Sequence, residues 1–303
     1  TLPFFCNIRL AQFAQENNIH YFDPTEDIQV TATIAEFANQ HSTAFVPQCG
    51  LAPGYIDIIG NDFIQAFDRV EKVKLRCGAL PANTAHALHY AFTWSPDGLI
   101  NEYINPCEIL ENSKLSQAHA LQGLERIEID GSTYEAFHTS GGLATLAQTH
   151  QGKIDSMDYK TIRYPGHAEK MSFLLHDMKL KDDRDTLQRI MMNAVPFTEQ
   201  DIVLIYVSVT GECQGRLEKK SFAYKYYPQT AFGMKCSAIQ LTTTAGICTI
   251  VDIVLNNEEK YRGFIKQEQF NLNEFYANRF GQILDPKTHT RKNHEHPQRV
   301  TVE

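Results

Sequence analysis

The stretch Asp158-Tyr-Lys-Thr-Ile-Arg-Tyr-Pro-Gly-His167-Ala-Glu169 carries the densest chemistry in the chain. An acid, two cations, two tyrosines, a Pro-Gly turn and a histidine fall within it, followed by a second acid. Unpaired polar groups are costly to bury, so this mixture argues against a buried strand. The spacing instead predicts a strand over Tyr159 to Tyr164 that ends at the Pro165-Gly166 turn. His167 then leads into a helix from about Ala168. Strand-to-helix turns are where α/β proteins place ligands. An edge strand with solvated charges is the plainer alternative.

Arg163 carries a planar fork that matches a carboxylate. His167 titrates near neutrality and suits acid–base work, with a helix-capping or packed histidine as the competing reading. For Arg163 the competing reading is a structural ion pair with Asp158 or Glu169. Strand alternation puts Lys160 on the face opposite Arg163.

These residues need a frame to hold them. At 303 residues the chain can bury a full core and is expected to hold two domains. Its 43% hydrophobic and 21% charged content is that of a globular chain. A net charge of -8 argues against nucleic acid and against an anionic membrane surface. Seven scattered cysteines without a Cys-x-x-Cys pair read as reduced thiols of a cytoplasmic protein, with no metal site.

The first seventy residues alternate helix, strand, helix, strand, turn and helix. Ile8 to Glu16 has helical spacing, Ile19 to Asp23 and Thr43 to Gln48 read as strands, and Thr25 is placed to cap a helix to about Asn39. Cys49 to Gly54 is a turn before a helix over Tyr55 to Phe67. Such alternation predicts a parallel sheet, one half of a doubly wound α/β domain. The glycine-rich fingerprint that seats a dinucleotide diphosphate is missing from the chain. Further on, strands are expected at Val73 to Cys77, Tyr134 to Thr139 and Asp201 to Thr210, the last paired with Ser221 to Tyr227. Asn112 to Ala118 reads as a flexible middle. Ser237 to Leu255 is apolar nearly throughout and by periodicity fits a buried helix or a strand, with its length favouring the helix, and Asn271 to Phe280 reads as a final amphipathic helix. The expected organisation is a partial Rossmann-like domain over 1–70 and a mixed-sheet α+β domain over 71–235. A helical stretch over 236–284 and a polar tail over 285–303, with His294 and His296, complete it.

A resemblance sharpens this outline. Thr161-Ile-Arg-Tyr-Pro-Gly-His167, Leu2-Pro-Phe-Phe5, Cys49-Gly-Leu-Ala-Pro-Gly54, Cys77-Gly-Ala-Leu-Pro81, Phe92-Thr-Trp-Ser-Pro96 and Gly98-Leu-Ile-Asn-Glu-Tyr103 resemble successive motifs of the saccharopine dehydrogenase family, in order from Leu2 to about Leu284. The resemblance implies an oxidoreductase that uses NAD or NADP on the C–N bond of lysine-derived amines, working as a homodimer on a small-molecule amine or amino acid, with the helices of 236–284 returning to the first domain. Arg163 would then hold the substrate carboxylate, with Lys160, Cys77 and Gly166 on the substrate side and His167 as acid–base group. Leu2 and Pro3, and Gly50, Leu51 and Pro53, would face the cofactor. In that family a segment with the glycine-rich turn precedes Leu2, so the chain is expected to lack its N-terminal portion and, alone, to be inactive. Two departures from the pattern bear on substrate. Ala52 stands where saccharopine reductases tend to carry aspartate, and Ser140 to Leu143 stand near where they place an arginine for a second carboxylate. Both favour a smaller amine such as lysine. A silent binding module and a carboxynorspermidine dehydrogenase-like enzyme are the alternatives.

Overall fold

The computed structural model describes residues 4–83, 85–289 and 300–302, and shows a mixed α/β fold built on two main sheets. Leu2, Pro3, His294 and His296 lie outside the described residues.

The smaller sheet is parallel. Helix α1 (Asn7–Glu16) leads to β1 (Tyr21–Phe22), α2 (Ile28–Ala38), β2 (Ala44–Val46) and α3 (Tyr55–Ile64). Its third strand, β13 (Gly263–Phe264), arrives from near the other end of the chain and pairs with β2. Asp27, not Thr25, caps α2: its carboxylate accepts the Val30 N–H at 2.8 Å, and Glu26 falls outside the helix. The Asp23 carboxylate accepts Thr25 N–H at 2.7 Å, so Asp23 to Asp27 folds as a turn before the helix begins.

The larger sheet has nine strands. They include β3 (Arg69–Pro81), β4 (Cys107–Glu111), β5 (Lys114–Ala118), β6 (Glu125–Ile129), β7 (Ser132–His138) and β8 (Ile154–Arg163), with α4 (Pro96–Ile104) and α5 (Leu146–His150) interspersed. After β8 come α6 (His167–Ser172) and α7 (Arg184–Ala194), then the long strands β9 (Asp201–Cys213) and β10 (Arg216–Tyr226). Lys114 to Ala118 is thus not a flexible segment: its backbone pairs with β4. The main path runs β10, β9, β3, β8, β7, β6 and β14 (Val300–Val302), with β3 and β8 parallel and β9 antiparallel to β3.

The charges from Asp158 to Arg163 are not on an edge, and the two cations among them are not solvated. Lys160 is 7% and Arg163 2% exposed. A buried strand tolerates them because each has partners, and the two faces of β3 and β8 divide the work. Lys74, Arg76, Asp158 and Lys160 share one face, where Arg76 pairs with Glu125 and Asp158 and Lys160 with both acids. Burial works against ionisation of Glu125, but Arg76, Lys160 and Lys74 hold its pKa down at about 2. Cys77 and Ala79 with Tyr159, Thr161 and Arg163 occupy the other face.

A short hairpin, β11 (Gln229–Ala231) with β12 (Met234–Cys236), precedes α8 (Ala238–Leu255). Asp201, the first residue of β9, accepts Ala238 N–H at 2.6 Å and Ile239 N–H at 2.9 Å and so seats the start of α8. By length and composition α8 is apolar enough to cross a bilayer, yet half of it is buried within the fold. Gly246 lets it press on the β2–α3 turn: a Cβ there would stand 2.5 Å from the Gly50 carbonyl oxygen. The final amphipathic helix is shorter than its spacing suggests. Only α9 (Leu272–Ala277) forms within it, and a 3-10 turn over Gly281–Ile283 and α10 (Pro286–His289) follow.

Candidate active site

A cavity of about 560 Å³ opens where the C-terminal ends of β1 and β2 meet the face of β3 and β8. This is the crevice that parallel strand ends leave in α/β sheets. Its floor is Cys77, Gly78 and Ala79 of β3 with Tyr159, Thr161 and Arg163 of β8. The turns after β1 and β2 supply Asp23, Glu26, Leu51 and Ala52, α4 and its lead-in supply Trp94, Gly98 and Glu102, and α8 supplies Ile239 and Thr243. Phe4, Asn7 and Leu10 reach its rim from the N-terminal helical segment.

Ser95 caps α4, accepting the Gly98 N–H at 3.2 Å, and Pro96 opens the first turn. That start aims Glu102 at the cavity. The Gly141-Gly142 turn packs beneath the acids. Gly141 has φ +89°, and a Cβ on it would meet the Glu26 carbonyl oxygen at 2.1 Å, while one on Gly142 would enter the Tyr159 ring.

The electrostatics are unusual for so small a space. Arg163 is the one guanidinium among the lining residues, and no carboxylate hydrogen-bonds to it among the described residues. The ion pair with Asp158 or Glu169 that the sequence offers does not form, because Asp158 is taken by Arg76 and Lys160. Tyr90 and Tyr103 present their rings to the guanidinium, 5.1 and 5.9 Å from its carbon. Three acids share the cavity, and burial pushes each upward: Asp23 to about 6, Glu26 to about 7 with help from Asp27 and Asp23, and Glu102 to about 8 with help from Glu26. Asp23 Oδ2 and Glu26 Oε1 are buried with no hydrogen-bond partner. The site therefore offers a fixed cation to an anion, and proton-exchanging carboxyls to an ammonium group.

The residues singled out in the sequence divide sharply. Arg163 and Cys77 line the cavity, as does Leu51. Burial pushes the Cys77 thiol up to about 12, further raised by Glu102, which makes it a packing residue rather than a nucleophile. His167 does not line the cavity. It is fully buried behind Tyr103, and burial together with Arg163 pulls its pKa down to about 3, so it stays neutral and out of reach of a ligand. Lys160 points to the opposite face of the sheet, as alternation requires, and is occupied by Glu125 and Asp158. Gly166 is the left-handed residue before α6, and its N–H donates to Glu135 rather than to the cavity. Gly50 and Pro53 form the body of the turn from which Leu51 and Ala52 project, and are not themselves in the lining. Asp23, Glu26 and Glu102 were not singled out. Glu102 had a visible signal, a lone acid in the apolar run Leu99-Ile-Asn-Glu-Tyr-Ile104. Glu26 reads as an ordinary first-turn acid until Asp27 takes the cap.

Comparison with known proteins agrees with this geometry. Residues 50–284 match the family model for the saccharopine dehydrogenase C-terminal domain. Among solved structures, the chain resembles apo saccharopine dehydrogenase (L-Glu forming) from Saccharomyces cerevisiae with a TM-score of 0.71 at 13% identity, covering 100% of this chain and 83% of that one. At that identity the likeness is one of fold.

Proposed function

The chain belongs to the saccharopine dehydrogenase family, a family of oxidoreductases, and on that footing we propose that its cavity binds a lysine-derived amine bearing one carboxylate and supports oxidation or reduction at the C–N bond. The observation that carries this reading is a buried guanidinium without a carboxylate partner, facing three carboxyls whose pKa values are raised. A buried cation left unpaired is costly, and an incoming carboxylate offsets that cost. One guanidinium accommodates one carboxylate, which supports lysine over the larger polycarboxylate saccharopine. Ala52 in the lining, where an acid is expected for saccharopine, points the same way.

Arg163 would hold the substrate carboxylate. Glu26 and Glu102 would face its ammonium group, and either is suited to take the proton that the amine must lose before the C–N bond is oxidised. The apolar surfaces of Leu51, Ala52 and Ile239 would exclude water beside the reacting carbon. NAD or NADP, when bound, supplies the hydride acceptor. Its nicotinamide end suits the lip formed by Phe22, Leu51 and Ala52. The diphosphate has no glycine-rich seat among the described residues, and the Asp23–Asp27 turn is acidic.

The test is an assay of lysine oxidation with NAD or NADP, reading formation of the reduced nicotinamide. Turnover of lysine with slower or no turnover of saccharopine is expected. Turnover of neither, with intact cofactor binding, would refute the substrate reading.

A further inference from the structure

His167, Tyr103 and Arg163 form a hydrogen-bonded row running from the protein interior to the cavity. His167 Nδ1 lies 2.9 Å from the Leu88 carbonyl oxygen, and its Nε2 lies 3.1 Å from the Tyr103 hydroxyl. Arg163 Nε lies 2.9 Å from that same hydroxyl. All three side chains are buried, at 0%, 1% and 2% exposure.

The direction of each bond follows from the one before. A carbonyl oxygen only accepts, so Nδ1 carries the proton and donates to Leu88. The ring is neutral in so buried a place beside a permanent cation, so it holds a single proton and Nε2 must accept. Tyr103 therefore gives its proton to His167, which leaves its oxygen lone pairs for Arg163 Nε–H. Arg163 Nη1 also donates to the Ile162 carbonyl at 2.9 Å. A guanidinium is planar, so two fixed nitrogens fix its plane. Nη2 has no hydrogen-bond partner among the described residues, and the side chain lines the cavity. The base of the row is anchored too: Glu135 accepts the N–H groups of Gly166 and Ala168 at 2.8 and 2.6 Å, which seats the helix start that bears His167.

We propose that Tyr103 and His167 are positioning residues: a row of one-way hydrogen bonds that holds the Arg163 fork with its Nη2 edge toward the cavity, ready for a carboxylate. The carboxylate half of this inference rests on the proposed substrate, whereas the row itself does not. His167 thus acts through Arg163 and not on the reacting atoms.

The experiment uses Tyr103→Phe, which keeps the ring against Phe137 and the guanidinium and removes only the hydroxyl. His167→Asn is the second variant, retaining a donor toward Leu88 while withdrawing the acceptor from Tyr103. Nitrogen NMR of protein labelled at histidine and arginine reads the row directly. In the wild type we expect His167 as the Nδ1–H tautomer, with the Arg163 Nε–H protected from solvent exchange. In both variants that protection should fall at least about tenfold. An Nε2–H tautomer, or unchanged protection in both variants, overturns the row. Calorimetry with L-lysine and with cadaverine, its analogue without the carboxylate, reads the consequence. Lysine affinity should fall about tenfold in Tyr103→Phe with cadaverine unchanged. Equal losses for both ligands, or none, overturn the positioning role. Should the wild-type protein bind neither ligand, the substrate reading fails while the NMR result still decides the row.

Discussion

Glu102→Gln should stabilise the protein at alkaline pH and leave it unchanged in acid. The carboxyl sits 7% exposed on α4, with Glu26 and Arg163 as its charged neighbours, and burial lifts its pKa from the ordinary 4.5 to about 8. Because the folded state binds this proton more tightly than the unfolded chain, stability from this group is complete below about pH 4.5 and drains away as the pH rises through about 8. At about 1.36 kcal/mol for each pH unit between those values, forcing the ionised form into the fold costs at most roughly 4–5 kcal/mol. That value already includes the offset from Arg163; water in the open cavity screens the remaining cost further, so about 2–3 kcal/mol is the expected net effect. Glutamine has the shape of the protonated acid and carries no charge at any pH. Thermal unfolding at pH 5 and pH 9, followed by circular dichroism, should show matching Tm values in acid and a Tm about 5 °C higher for the variant in alkali. Parallel curves for the two proteins from pH 5 to pH 9 would show that Glu102 ionises normally, and the proton-accepting role assigned to it would fall.

Arg163→Lys replaces a fork by a point charge and should weaken lysine binding by about tenfold to a hundredfold; unchanged calorimetric affinity would remove Arg163 from the carboxylate seat. Binding of an ammonium ligand such as cadaverine should strengthen as Glu26 and Glu102 lose their protons, near about 7 and about 8, and a flat pH profile would contradict those carboxyls as the ammonium seat. Glu125→Gln removes one of the two carboxylates that pair with the buried Arg76 guanidinium, leaving Asp158, and should cost about 2–3 kcal/mol at pH 7 in denaturant titrations. Since Glu125 is held down at about 2, the stability it contributes is present above about pH 4.5 and is lost toward pH 2, so the gap between variant and wild type should close in acid. Gly142→Ala drives a Cβ into the Tyr159 ring, at 2.3 Å from Cδ1, and should destabilise by about 1–3 kcal/mol in the same titrations.

Much of the frame was legible in the chain. The apolar run of β9 declares itself, length tips the long apolar stretch of α8 toward helix where periodicity leaves helix and strand open, and alternation alone separates Lys160 from Arg163. The Pro165-Gly166 turn and the helix after it were equally plain. What the chain did not disclose was depth. His167 follows a strand end, as a catalytic histidine would, but Tyr103 of a distant helix stands between it and the cavity. Asp23 and Glu26 share one turn while Glu102 comes from a distant helix, and nothing in their local patterns says that they converge or that their pKa values rise. The same holds for the Arg76–Glu125–Asp158 cluster, since the pairing that makes buried charge tolerable is made across strands. Asx turn chemistry explains the displaced helix start, where Asp23 holds the turn and Asp27 replaces Thr25 as cap.

The late arrival of β13 in the small parallel sheet sets an order on synthesis. Phe264 lies in register with Phe45, and Gln267 Nε2 donates to the Pro47 carbonyl across a sequence separation of 220. Ile239 and Thr243, which close one side of the cavity, also come from this late part of the chain. A nascent chain emerging from the ribosome can form α1 to α3 early, but it must hold that sheet two strands wide, with an unpaired edge on β2, until nearly the whole chain has been made. Contacts so distant in sequence make the last stage of folding slow, and the ligand site is completed in that stage. Stop-codon truncations before Gly263 should therefore yield chains that aggregate through the β2 edge rather than smaller proteins that bind more weakly.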